Sequence, residues 1–202
     1  VNKVAAYFPD KIITTLAYNY TQHAPLHIKP AKNICILLSD IDCERNEPIE
    51  TDPKSAGFRK DLQDWTHICH NIMIWDYVVQ LTNYISPFPN LQTLDPNMRY
   101  FEKQNVKGLF VQGSGEDKSA FCELRSYLIA HLLWQPQADV NNLMNDFLNN
   151  YYGAGGKYIR AYINLMQNAL QQSGQSLDIY GNPVSANTTW LSPELITQYS
   201  DL

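Results

Sequence analysis

The chain has 202 residues, 45% hydrophobic and 17% charged, enough for one domain with a sizeable core, and this composition excludes a largely disordered chain. A net charge of −5 and the absence of clustered Lys and Arg argue against a nucleic-acid backbone as partner. Aromatic residues make up 12%, with 13 Tyr and 4 Trp, and such rings serve packing or stack on sugars.

Val1 to Phe8 reads as a helix that leads into a strand, as if the chain were the carboxyl-terminal part of something longer. Residues 11–20 and 33–41 read as strands from their β-branched and apolar content. Pro25 and Pro30 break the stretch between them, which is too short for a crossover helix and reads as a loop. A long polar segment, 43–57, precedes a helix over 58–69 with Phe58, Leu62, Trp65 and Cys69 on one face. The third strand is 71–77, followed by an aromatic, Pro-rich loop over 83–91. Asp95-Pro96 then starts a helix, with Asp as its N-cap and Pro at its first position, and a fourth strand covers 107–112.

Beyond Gly113 the alternation stops. Ser119–Trp134, Asp139–Tyr152 and Gly156–Gln172 read as three amphipathic helices, the second capped by Asp139 and closed by Gly153. The tail from Ser173 is polar and turn-rich, with Trp190-Leu191 as its anchor. The expected organisation is therefore strand-helix repeats over 1–118, packed helices over 119–172 and a polar tail over 173–202.

Asp40, Asp76 and Gln112 close three of the strands at intervals of 36 residues, room for one strand, one helix and two loops. Chemistry at the carboxyl ends of parallel strands is where α/β folds build ligand sites. Four strands fall short of the eight of a closed barrel, so the expected fold is α/β: the carboxyl-terminal half of a (β/α)8 barrel followed by a helical bundle. A free-standing doubly wound sheet is the alternative.

Leu-Ala-Tyr-Asn-Tyr at 16–20, Ser-Asp-Ile-Asp-Cys-Glu at 39–44, Ile-Trp-Asp-Tyr at 74–77 and Val-Lys-Gly-Leu-Phe-Val-Gln-Gly at 106–113 come in order. Glu-Leu-Arg-Ser-Tyr-Leu-Ile-Ala-His-Leu-Leu-Trp at 123–134 and Phe-Leu-Asn-Asn-Tyr-Tyr-Gly at 147–153 follow. Together they resemble the bacterial family catalogued as domain of unknown function 4838, over roughly residues 1–170. Its members look like barrel glycoside hydrolases of the hexosaminidase and α-glucuronidase kind. The resemblance implies a secreted, periplasmic or cell-surface polysaccharide-degrading protein with a carbohydrate substrate. It also implies that the rest of the barrel lies upstream of Val1, and with it an acidic catalytic pair on the fourth barrel strand.

Glycoside hydrolysis needs two carboxyls, about 5–5.5 Å apart for retention and about 6.5–9.5 Å for inversion. Asp40, Asp42 and Glu44 share one face if their strand continues, which makes Asp40 and Asp42 the candidate catalytic acids and Glu44 a sugar-hydroxyl acceptor. A solvated acidic turn or a bound Ca²⁺ are the other readings of this trio. Asp76 is the foremost substrate contact, between Trp75 and Tyr77, candidate stacking residues whose rings point to the opposite face until the strand ends. Gln112 binds rather than catalyses. Tyr18 and Tyr20 share a strand face and either line the cleft or pack a barrel layer. Gly113-Ser114-Gly115-Glu116 is a weak anion-loop candidate. His23 reads as a loop surface residue, and His67 and His70 as complements to a helix dipole rather than metal ligands.

The four cysteines have no metal-ligand spacing and read as buried thiols. No cofactor, no metal and no membrane-spanning segment is expected. A non-catalytic glycan-binding protein on a barrel scaffold and an α/β interaction module stay open beside the glycosidase reading.

Overall fold

The computed structural model describes residues 1–114 and 118–202. Short runs rich in Ile, Leu and Val form four strands: β1 (Ile13–Ala17), β2 (Ile34–Ser39), β3 (Ile72–Tyr77) and β4 (Gly108–Gln112). They make one all-parallel sheet in the order β1-β2-β3-β4, with Ile13 beside Ile34, Ile36 beside Ile72 and Met73 beside Gly108. Helix α1 (Asn2–Tyr7) precedes β1, α2 (Ala56–Ile68) joins β2 to β3, and α3 (Leu94–Lys103) joins β3 to β4. The β1–β2 connection carries only a single turn at Asn19–Thr21, as its two prolines require.

Parallel neighbours in register put their side chains on the same face. Ile34, Ile36, Leu38, Ile72 and Ile74 therefore form one face, and all are buried against Phe58, Leu62 and Trp65 of α2 and Phe101 of α3. The other face is treated differently. Leu37 and Met73, at mid-strand in the two central strands, are only part-buried. Leu16 and Phe110, on the outer strands, are 46% and 50% exposed. Neither β1 nor β4 has a second partner strand among the described residues.

After β4 come α4 (Cys122–Trp134), α5 (Val140–Tyr152), α6 (Gly156–Ser173) and α7 (Pro193–Ser200). Leu124, Leu128 and Leu132 of α4 share a buried cluster with Met144 and Leu148 of α5 and Ile163 of α6. Asp139 caps α5 by accepting from the Asn141 and Asn142 amides at 2.8 and 3.3 Å. Gly153, at φ +55°, closes it. At the start of α6, a methyl on Gly156 would sit 2.5 Å from the Leu148 carbonyl oxygen. Gly156→Ala is therefore expected to cost about 1–3 kcal/mol, measured as a lower denaturation midpoint. An unchanged midpoint would mean that α5 and α6 separate without penalty.

Several expected boundaries shift. The first strand ends at Ala17, not near 20, because Asn19 adopts a left-handed φ of 49° and starts the turn. Helix α3 begins at Leu94, so Asp95 and Pro96 lie inside its first turn rather than capping it, and Asp95 pairs with Arg99 at 3.1 Å. Pro96 costs nothing there, since a first-turn N–H has no intrahelical acceptor. Helix α4 starts at Cys122 instead of Ser119 because Phe121 sits at φ 53°. The tail holds a helix, α7, whose signal was Ser192-Pro193: the serine hydroxyl accepts from the Leu195 amide at 3.4 Å. Trp190 is buried. Of the anion-loop candidate, Gly115 and Glu116 lie outside the described residues.

Candidate functional site

Strand alternation sends Asp76, and Asp40 just past β2, to the helix-covered side of the sheet. There both meet Arg45. Its guanidinium donates to Asp40 Oδ1 at 2.9 Å, to the Asp40 carbonyl at 2.7 Å and to Asp76 Oδ1 at 3.2 Å, and it lies 5.8 Å from the centre of the Tyr77 ring. Asp40 is 0% exposed, and Arg45 and Asp76 are 3% exposed each. Burial pushes the Asp40 carboxyl well above the usual carboxylate range; Arg45 opposes the rise and Asp76 adds to it. Two carboxylates against one guanidinium leave a surplus negative charge, and a proton held on Asp40 removes it. Asp40 and Asp76 thus come together, but not on one substrate-facing side with Gln112 as expected: they are enclosed, engaged with Arg45, on the other face of the sheet.

Asp42 and Glu44 part from Asp40. The strand ends at Ser39, and the Cys43 amide bonds back to the Asp40 carbonyl at 2.8 Å in a turn, so the shared strand face does not exist. Both instead line a cleft of about 460 Å³ with Tyr18, Lys54, Asp178 and Tyr180. Asp42 is exposed. Glu44 is buried, bonded to Lys54 Nζ at 2.9 Å and accepting from the Leu177 amide at 2.7 Å. Tyr18 and Tyr20 do not share a face either, since the strand has ended: Tyr18 is part-buried in the cleft wall, and Tyr20, on the following turn, is 97% exposed.

Trp75, Tyr77 and Gln112 gather on the sheet face opposite Asp76. The Trp75 and Tyr77 rings stack at 5.8 Å and 10°. Trp75 Nε1 donates to Gln112 Oε1 at 2.8 Å, while Phe110 meets Trp75 edge-on at 5.3 Å. The Ser39 hydroxyl donates to the Tyr77 oxygen at 3.4 Å. Burial raises the Tyr77 phenol, the Ser39 bond opposes the rise, and Tyr18, Asp40 and Tyr180 add to it.

A family model described as a domain of unknown function, DUF4838, matches residues 1–164. The chain belongs to this family. No curated protein and no solved structure matches it. The DUF4838 region takes in the whole sheet, Asp40, Arg45, Asp76 and Gln112, and ends within α6. Asp178 and Tyr180 of the cleft lie beyond it.

In this DUF4838 chain the sequence reading missed Arg45, Lys54, Asp178 and Tyr180. A cation inside the acidic run 40–47 was the one signal for Arg45; nothing local marked the others. The histidines sit apart from the cleft. His23 is an exposed loop residue whose Nδ1 lies 2.6 Å from the nearly buried carboxylate of Asp61, and the bond and charge of Asp61 raise its pKa. His67 lies in the last turn of α2, its Nδ1 2.8 Å from the Gln63 carbonyl. All four cysteines are free thiols, three of them buried. Among the described residues no three His, Cys, Asp or Glu side chains converge as a metal-ligand set. No helix among them is long and apolar enough to cross a membrane.

Proposed function

We propose that this chain is the carboxyl-terminal half of a (β/α)8 barrel whose carboxyl face binds an oligosaccharide, within a secreted or surface glycoside-hydrolase-like protein. The observation that carries this reading is the unequal treatment of the sheet's two faces. A doubly wound domain covers both faces with helices, whereas a barrel places its helices outside and turns the inner face towards further strands. Here α2 and α3 cover one face, and the other keeps Leu16 and Phe110 at 46% and 50% exposed, beside two edges unpaired among the described residues. At the carboxyl ends of that face stand the part-buried Trp75 and Gln112, with Tyr77 buried beneath the Trp190 cluster and Tyr18 and Asp42 in the cleft. Stacking rings, an amide and a free carboxylate are the groups that grip pyranose rings and hydroxyls.

In this reading Tyr18 and Trp75 supply stacking, Gln112 orients a hydroxyl, and Asp42 accepts hydroxyl protons or forms one half of a catalytic pair. Because Asp40 is locked to Arg45, it is not free to be the second carboxylate of such a pair. That enclosure also favours the second reading, a glycan-binding barrel without turnover.

The test is a glycan microarray probed with the 202-residue chain and its Tyr18→Ala variant. The expected result is binding to a related set of oligosaccharides, weakened about fivefold or more in the variant, the loss of roughly one stacking contact. No binding to any glycan would sink the proposal. Glycan binding by the full-length protein without release of reducing sugar would select the non-catalytic reading.

A further inference from the structure

The turn at Asp178–Gly181 is tied down from several sides. The Leu81 amide donates to the Ile179 carbonyl at 2.7 Å, and the Gly181 amide to the Asp178 carbonyl at 3.0 Å. Asp178 Oδ1 accepts from the Tyr180 amide at 2.6 Å, and the Gln80 side chain donates to the Gly181 carbonyl. One step earlier, Leu177 is held by Glu44 at 2.7 Å and its carbonyl accepts from the Arg45 amide at 3.3 Å. Leu177 and Ile179 are buried while Asp178 and Tyr180, alternating with them, face outward, and Tyr180 is 61% exposed. An exposed ring on a turn fixed in this way loses little freedom when a ligand stacks on it.

Charge in the cleft is one-sided. Of its ionisable lining, Glu44 and Lys54 neutralise each other at 2.9 Å, leaving the carboxylates of Asp42 and Asp178 uncompensated. Such a lining repels an acidic ligand and tolerates a neutral or cationic one.

Resting on the carbohydrate reading above, we infer that the turn Asp178–Gly181 is the specificity wall of the cleft. Tyr180 stacks on a sugar ring, and Asp42 with Asp178 selects a neutral or amino-bearing saccharide over an acidic one. The wall lies beyond residues 1–164, the part that the family model matches.

Isothermal titration of the chain with cellohexaose, a fully deacetylated chitosan hexamer and hexagalacturonate at low salt tests this. The neutral or the amino-bearing hexamer is expected to bind at least about tenfold tighter than hexagalacturonate. Tyr180→Ala should weaken the preferred hexamer about fivefold or more with an unchanged circular dichroism spectrum, and Tyr180→Trp should retain it. Asp42→Asn with Asp178→Asn should narrow the discrimination against hexagalacturonate, as should added salt. Hexagalacturonate binding as tightly as the others, or Tyr180→Ala binding like the parent, overturns the inference and leaves the carbohydrate reading standing. Binding neither to these hexamers nor to any arrayed glycan overturns the carbohydrate reading itself.

Discussion

Arg45→Met is expected to destabilise the folded chain by about 3–5 kcal/mol, the cost of removing one partner from a buried ion cluster. Methionine fills similar volume but leaves Asp40 and Asp76, 0% and 3% exposed, facing each other without a counter-charge. Arg45→Lys should recover little, since one ammonium group cannot reproduce separate bonds to Asp40 Oδ1, the Asp40 carbonyl and Asp76 Oδ1. Urea unfolding at neutral pH measures both variants. A loss under about 0.5 kcal/mol for Arg45→Met would mean that the cluster is no more than a surface-like pair.

The same cluster sets a pH dependence with a definite sign. The Asp40 carboxyl is raised in the folded chain, first by burial, so it keeps its proton at pH values where the unfolded chain has released it. The folded state then binds more protons, and stability falls as pH rises from the ordinary aspartate value of about 3.9 towards the raised one. Asp40→Asn keeps the shape and removes the titrating proton, so its stability should vary less across that window. An unchanged slope would mean that Asp40 is not the group that titrates.

Local signals carried much of the fold. Ile34–Ser39 and Ile72–Tyr77 are unbroken apolar, β-rich runs between polar turns, and Asp139 and Gly153 mark the two ends of α5 by their own backbone preferences. Where a single residue overrode the pattern, the reading slipped. Asn19 at φ 49° ends a strand that Tyr20 should have extended, so two tyrosines expected on one face diverge. The site was less legible because its partners are remote. Arg45 bonds Asp76 across 31 residues and Glu44 holds Leu177 across 133, and no periodicity encodes either distance. Acidic residues spaced two apart do announce a cluster. Which carboxylate stays in water and which is buried with an arginine depends on where the strand stops, and Ser39 is that point.

Trp190→Ala is expected to cost about 3–5 kcal/mol, the range for emptying a buried tryptophan site. Trp190 is 4% exposed and belongs to a cluster with Tyr77 and Phe88 near the strand ends, Met166 and Leu170 of α6, and Leu177 and Ile179 of the cleft turn. Its carbonyl also accepts the Tyr199 hydroxyl at 2.7 Å, which ties α7 to the same place. The indole therefore fastens a segment that composition alone reads as a polar tail. Its removal should act first on that segment: hydrogen exchange at the Leu177 amide, bonded to Glu44, and the Leu81 amide, bonded to the Ile179 carbonyl, should accelerate more than at Ile36 or Ile74 in the sheet, because local opening needs only the tail cluster to separate. Equal acceleration everywhere would mean that tail and sheet unfold as one unit. No acceleration at all would mean that the turn holds its place through Glu44 and Leu81, and that the cleft wall stands without its tryptophan anchor.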